Sequence, residues 1–143
     1  MMKVRLGNLI LCLVALMLAG AQPAAGGGAG DGRAGGRTVE VRAGREVTIG
    51  AGGLKLRFVA VREDSRCPEG VQCVWAGNAR VAVRLSRARG KVATVELNTM
   101  TEPREVTYAN YVVKLETLAP RPVADGQPKP RDYVATFVVS KKQ

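Results

Sequence analysis

Between Thr38 and Ser140 a series of short runs places apolar side chains at every second position, and no run shows the three-to-four spacing of an amphipathic helix. Val39, Val41, Val47 and Ile49 alternate with Glu40, Arg42, Glu46 and Thr48, broken by Ala43-Gly44, which reads as two short strands or one bent one. After the Ala51-Gly52-Gly53 turn, Leu54 to Arg62 is a longer strand with Leu54, Leu56, Phe58 and Ala60 on one face. Arg80 to Leu85 turns Val81, Val83 and Leu85 inward, and Val92 to Leu97 groups Ala93, Val95 and Leu97. Glu105 to Tyr108, Tyr111 to Leu118 (with Tyr111, Val113 and Leu115 inward) and Tyr133 to Ser140 complete the set, the last rich in β-branched and aromatic residues. Ala119 to Arg131 carries Pro120, Pro122, Pro128 and Pro130 and is an irregular connection. Roughly seven or eight strands with a turn every eight to twelve residues predict an all-β fold: a single-domain β-sandwich, immunoglobulin-like, or a small β-barrel of antiparallel strands.

The segment before this domain has a different composition. Lys3 and Arg5 precede the ten-residue apolar run Leu9 to Leu18, and Ala19-Gly20-Ala21 is an A-x-A cleavage pattern, so residues 1–21 read as a signal peptide. Ten apolar residues fall short of the about 20 that span a bilayer, so no transmembrane segment is expected after cleavage. Residues 22–37 are mostly Gly and Ala and read as a flexible linker, leaving 38–143 as the folded domain. The expected localisation is periplasmic, cell-envelope or extracellular.

The stretch from Asp64 to Val83 holds the only Trp and two of the three Cys. Cys67 and Cys73 are separated by five residues, among them Pro68, which fixes one φ, and Gly70, which permits a positive one. A disulfide between them is sterically easy and is the expected pairing in an exported chain. Catalytic redox chemistry calls for a C-x-x-C at a helix start, and zinc for about four ligands, whereas this chain has no His and no second Cys pair. No metal or other cofactor is expected. Trp75 lies two residues past Cys73, so on an extended chain both side chains share a face, and Trp75 reads as a core plug stacked on the disulfide. Asp64, Ser65, Arg66 and Pro68 form a candidate interaction loop.

The string Asp-Ser-Arg-Cys-Pro, followed by Val-Gln-Cys-Val-Trp-Ala-Gly-Asn, resembles a motif of small secreted bacterial proteins. The resemblance covers about twenty residues in mid-chain. It implies an envelope or extracellular β domain and brings no activity with it.

The chain carries a formal charge of +10, and removing Lys3 and Arg5 from its 22 basic residues leaves 20 against 12 acidic, or +8. Such a charge attracts polyanions, and export makes anionic envelope polymers a better match than nucleic acid. Arg80, Arg84, Arg87, Arg89 and Lys91 form the densest basic cluster, a candidate polyanion patch provided the hairpin at Ala88 to Gly90 brings both parities to one side; the alternative is a solvated, solubilising face. Without His, no Ser-His-Asp or Cys-His arrangement can form. Hydrolysis by surface carboxylates would rest on Glu63 and Asp64, adjacent and therefore on opposite faces, or on Glu102 and Glu105. The expectation is a non-catalytic binding module with an extracytoplasmic protein as partner, or an envelope protein held to anionic polymers by its basic face.

Overall fold

The computed structural model describes residues 36–142; the expected signal peptide and residues 22–35 of the expected linker lie outside them. Eight strands form: β1 (Arg37–Arg42), β2 (Glu46–Ile49), β3 (Leu54–Asp64), β4 (Ala79–Ser86), β5 (Ala93–Asn98), β6 (Glu105–Tyr108), β7 (Tyr111–Ala119) and β8 (Val134–Lys141). They make two four-stranded antiparallel sheets, ordered β1-β8-β7-β6 and β2-β3-β4-β5. The expected all-β sandwich is the fold observed, and the sheets do not close into a barrel.

The alternation in the sequence fills the space between the sheets. Leu54, Leu56 and Phe58 of β3, Val81, Val83 and Leu85 of β4, and Leu97 of β5 face Val113 and Leu115 of β7 and Ala135, Phe137 and Val139 of β8 in one buried cluster. Fully burying each large apolar side chain stabilises the fold by roughly 1.5–3 kcal/mol. The Val39 to Ile49 run resolves into two strands that belong to different sheets. The chain crosses between them at Ala43-Gly44, where Gly44 adopts φ 80° and donates its N–H to the Phe58 carbonyl at 2.7 Å.

β3 departs from strict alternation. Its register against β4 slips between Phe58 and Ala60 and again between Val61 and Glu63. Each slip adds one unpaired residue, and an extra residue moves all that follow to the opposite face. Ala60 therefore pairs with Ala82 rather than continuing the inward row of Phe58, which corrects its expected placement. Val61 opposes inward-facing Val81, and the second slip returns Asp64 to the inner face opposite Ala79. An acid thus arrives at one end of the core, where it must find partners.

Candidate functional site

The loop between β3 and β4 begins at that acid. Asp64 keeps only 4% of its side chain exposed, and Arg66 only 10%. Arg66 grips Asp64 bidentately, through Nε to Oδ1 at 2.8 Å and Nη2 to Oδ2 at 2.6 Å. The same guanidinium donates to the carbonyls of Leu118 and, at 2.8 Å, Pro120. Tyr133 donates its hydroxyl to Asp64 Oδ2 at 2.9 Å. One carboxylate thereby joins β3, the loop, the end of β7 and the approach to β8. Burial pushes the Asp64 carboxyl up, but the hydrogen bonds from Arg66 and Tyr133 outweigh it and hold the pKa below its ordinary value. Burial, then the hydrogen bond to Asp64 and its charge, push the Tyr133 hydroxyl up to about 12.

Above this clamp the loop runs as a narrow continuation of the β3–β4 ladder. Ser65 donates its N–H to the Asn78 carbonyl at 2.8 Å, and Cys67 to that of Ala76 at 3.0 Å. Gly77 sits between these rungs at φ 69°, where a Cβ would run into the Ser65 carbonyl, so no other residue fits without moving the backbone. The Cys67–Cys73 disulfide closes the tip, with Cα atoms 5.9 Å apart, as the spacing predicts. Glu69 donates its N–H to the Pro122 carbonyl at 2.8 Å, which ties the tip to the proline-rich connection after β7. Asn78 bonds Asn98 Oδ1 at 2.9 Å and accepts the Met100 N–H at 3.0 Å, so the β5–β6 loop is anchored alongside.

At the tip the large apolar side chains stand in solvent. Trp75 is 82% exposed and Val74 91%, with Val71 and Met100 also exposed. The expectation of Trp75 as a core plug is therefore corrected: the indole lies outside the core and faces solvent. The physical reason lies in the loop's narrowness. A two-rung ladder closed by a disulfide offers no second layer for an indole to enter, and the core beneath is already filled by Ala79, Leu97 and Leu118. The candidate interaction residues occupy the base instead. Asp64 and Arg66 spend their polar groups on each other and on the clamp, Ser65 Oγ donates to the Asn78 carbonyl at 2.9 Å, and Pro68 is half-buried. They hold the loop, and Val71, Val74 and Trp75 present the surface.

Beside the loop lies an open groove of about 390 Å³, lined by Cys67, Ala76, Met100, Leu118, Arg104 and Arg121 among others. Of the predicted basic cluster, Arg80 and Arg84 stand exposed on one face of β4, and Arg80 and Arg87 are engaged by neighbours. Arg80 lies between Glu63 at 3.3 Å and Glu96 at 3.4 Å. Arg87 donates Nε to the Gly52 carbonyl at 3.1 Å and sits over the Tyr111 ring. Arg89 and Lys91 are exposed in the β4–β5 loop, and Arg84 faces Arg57 across the β3–β4 pair. Among the described residues no three His, Cys, Asp or Glu side chains gather as a metal-ligand set, and no helix is long and apolar enough to cross a membrane. Glu63 and Asp64 are engaged with Arg80 and Arg66 respectively.

In comparisons with known proteins, no family model, curated protein or solved structure matches the chain.

Proposed function

We propose that the protein is an exported, non-catalytic binding module whose contact surface is the tip of the disulfide-stapled loop. The observation that carries this is the exposure of Trp75 and Val74 on a loop fixed at its base by a buried ion pair. Exposed apolar residues rimmed by polar ones mark interaction surfaces, and Trp is enriched among residues that dominate binding energy. A pre-ordered loop also loses less conformational entropy on association than a flexible one. The disulfide and the hydrophobic run at the chain's start agree with an extracytoplasmic setting.

Capture from envelope extracts with the domain tests this. The Val74→Ser, Trp75→Ser double variant is expected to keep its thermal midpoint, because neither side chain packs on the core, and to lose the partner that wild type retains. Substituting a central Trp costs about 2 kcal/mol or more of binding, some thirtyfold in affinity. Equal capture by both proteins overturns the reading.

A second reading has its own support. Arg57 and Arg84 lie directly opposite each other on the exposed face of β3–β4, and neither has an acidic partner within ion-pair distance among the described residues. Like charges so placed repel, and a sulfate, phosphate or carboxylate from an anionic envelope polymer would relieve them. This association would be salt-sensitive, unlike recognition by the apolar tip.

A further inference from the structure

The large apolar side chains left in solvent gather at one end of the sandwich. Among the described residues six are exposed, and five of them, Val71, Val74, Trp75, Met100 and Val123, belong to the loops that leave β3, β5 and β7. The sixth, Val92, lies in the β4–β5 loop at the opposite end. Hydrogen bonds tie the three loops together. Glu69 of the stapled loop donates its N–H to the carbonyl of Pro122, the neighbour of Val123, at 2.8 Å. Asn78, at the other foot of the same loop, accepts the Met100 N–H at 3.0 Å. The exposed apolar residues therefore stand on one connected surface, with Val74 and Trp75 the most exposed among them.

The polar groups of this surface decide what it fits. From Gly70 to Ala79 no residue is charged, in a chain where 24% of residues are. The polar side chains of that run are Gln72 and Asn78, and Asn78 is spent on Asn98 and Met100. Thr99, beside Met100, is likewise taken, accepting the Ala79 N–H at 2.9 Å. Protein partners are recognised through about one hydrogen bond per 100–200 Å² of interface, and the tip has little to offer them. A protruding apolar surface with few directional groups matches the boundary between headgroups and acyl chains of a bilayer. Trp settles at that boundary, since its ring is apolar while its N–H stays hydrated. Charge favours the same partner. Outside the Asp64–Arg66 pair the three loops carry four acidic and four basic residues, so this end is neutral and enters the boundary without an unbalanced charge. Residues 36–142 as a whole hold 19 basic against 11 acidic side chains, an excess that draws the domain to an anionic surface.

We propose that this end of the sandwich docks on the surface of an anionic lipid bilayer, with Val74 and Trp75 inserted among the headgroups and Val71, Met100 and Val123 resting against them. The proposal rests on the reading of the domain as an exported binding module and names the lipid surface as the partner of its tip.

Trp75 is the only Trp of the chain, so its fluorescence reports on the tip alone. The test is titration of the disulfide-bonded protein with vesicles of phosphatidylcholine and phosphatidylglycerol. Trp75 emission is expected to move to shorter wavelength and to be quenched by lipids brominated at the headgroup end of the acyl chain. Val74→Ser, which keeps Trp75 as the reporter, should weaken partitioning about tenfold, as the loss of one buried apolar side chain does. Met100→Ser, on a different loop, should weaken it in the same direction. Val92→Ser, at the far end, should leave it unchanged, and all three variants should keep the wild-type thermal midpoint. An emission spectrum that vesicles do not move would overturn the proposal. So would adsorption that salt abolishes and that leaves Trp75 unquenched, which is attraction by net charge alone, or an effect of Val92→Ser equal to that of Val74→Ser. Failure here is distinguishable from failure of the binding-module reading. If vesicles leave the emission unchanged while the Val74→Ser, Trp75→Ser variant loses a captured protein, the module stands, its partner is a protein and the lipid proposal falls. If vesicles leave it unchanged and capture is equal as well, both fall.

Discussion

Asp64 answers to two partners at once, Arg66 and Tyr133, and its burial makes both of them necessary. Removing Arg66 would leave a carboxylate in the sandwich end without its counter-charge, a change that costs about 3–5 kcal/mol where buried pairs are broken. Arg66→Ala is therefore expected to lower the midpoint of urea unfolding far more than substitution of any exposed arginine. The pair also sets a pH dependence with two limbs. The folded Asp64 pKa lies below its ordinary 3.8, so its stabilisation is fully present above that value and is lost as pH falls through the folded one. The folded Tyr133 pKa lies at about 12 against an ordinary 10.0, so its stabilisation is fully present below pH 10 and disappears between 10 and 12. Unfolding midpoints measured across pH should show the alkaline limb in wild type and lose most of it in Tyr133→Phe. A Tyr133→Phe protein with the wild-type alkaline slope would assign that limb to other groups.

The stapled loop stands on Gly77 and the disulfide more than on its exposed residues. Gly77→Ala imposes a side chain on a left-handed residue and drives it into the Ser65 carbonyl, for a cost of at least about 1–3 kcal/mol. Replacing Cys67 and Cys73 together by Ser should cost about 2–4 kcal/mol while the near-ultraviolet signal of the buried aromatic residues persists, because the core lies in the sheets. Much of this element was legible in the chain: the two cysteines, the Pro68 and Gly70 between them and the flanking period-two runs define a closed loop between strands. The orientation of Trp75 was not, since periodicity gives a face but not whether anything covers it. Arg66 was equally opaque, as its carbonyl partners lie 52 and 54 residues further along. The bulges in β3 were hidden because Val59, Ala60 and Val61 are all apolar and suit either face.

At the scale of the molecule, charge and fold are separable. The core residues are apolar and continuous between the sheets, whereas the excess of basic residues is spread over both exposed faces and the loops. A heparin column developed with salt should therefore hold the domain through its net charge. Arg57→Ser with Arg84→Ser should elute earlier than a control losing Arg42 and Arg45, if the opposed pair forms a site; equal shifts would reduce the retention to net charge alone. An all-β fold, sandwich or small barrel, was readable from strand count and turn spacing, but which strands share a sheet was not, because β1 and β2 are neighbours in sequence and part company at Gly44. The separation of clamp from tip has a consequence for design. Asp64, Arg66 and Gly77 hold the two ends of the loop on the sandwich, and none of the residues from Glu69 to Trp75 belongs to the buried core. That division gives the domain the anatomy of a display scaffold, in which foreign sequence grafted between the cysteines would inherit a rigid frame and new specificity would not have to be traded against folding.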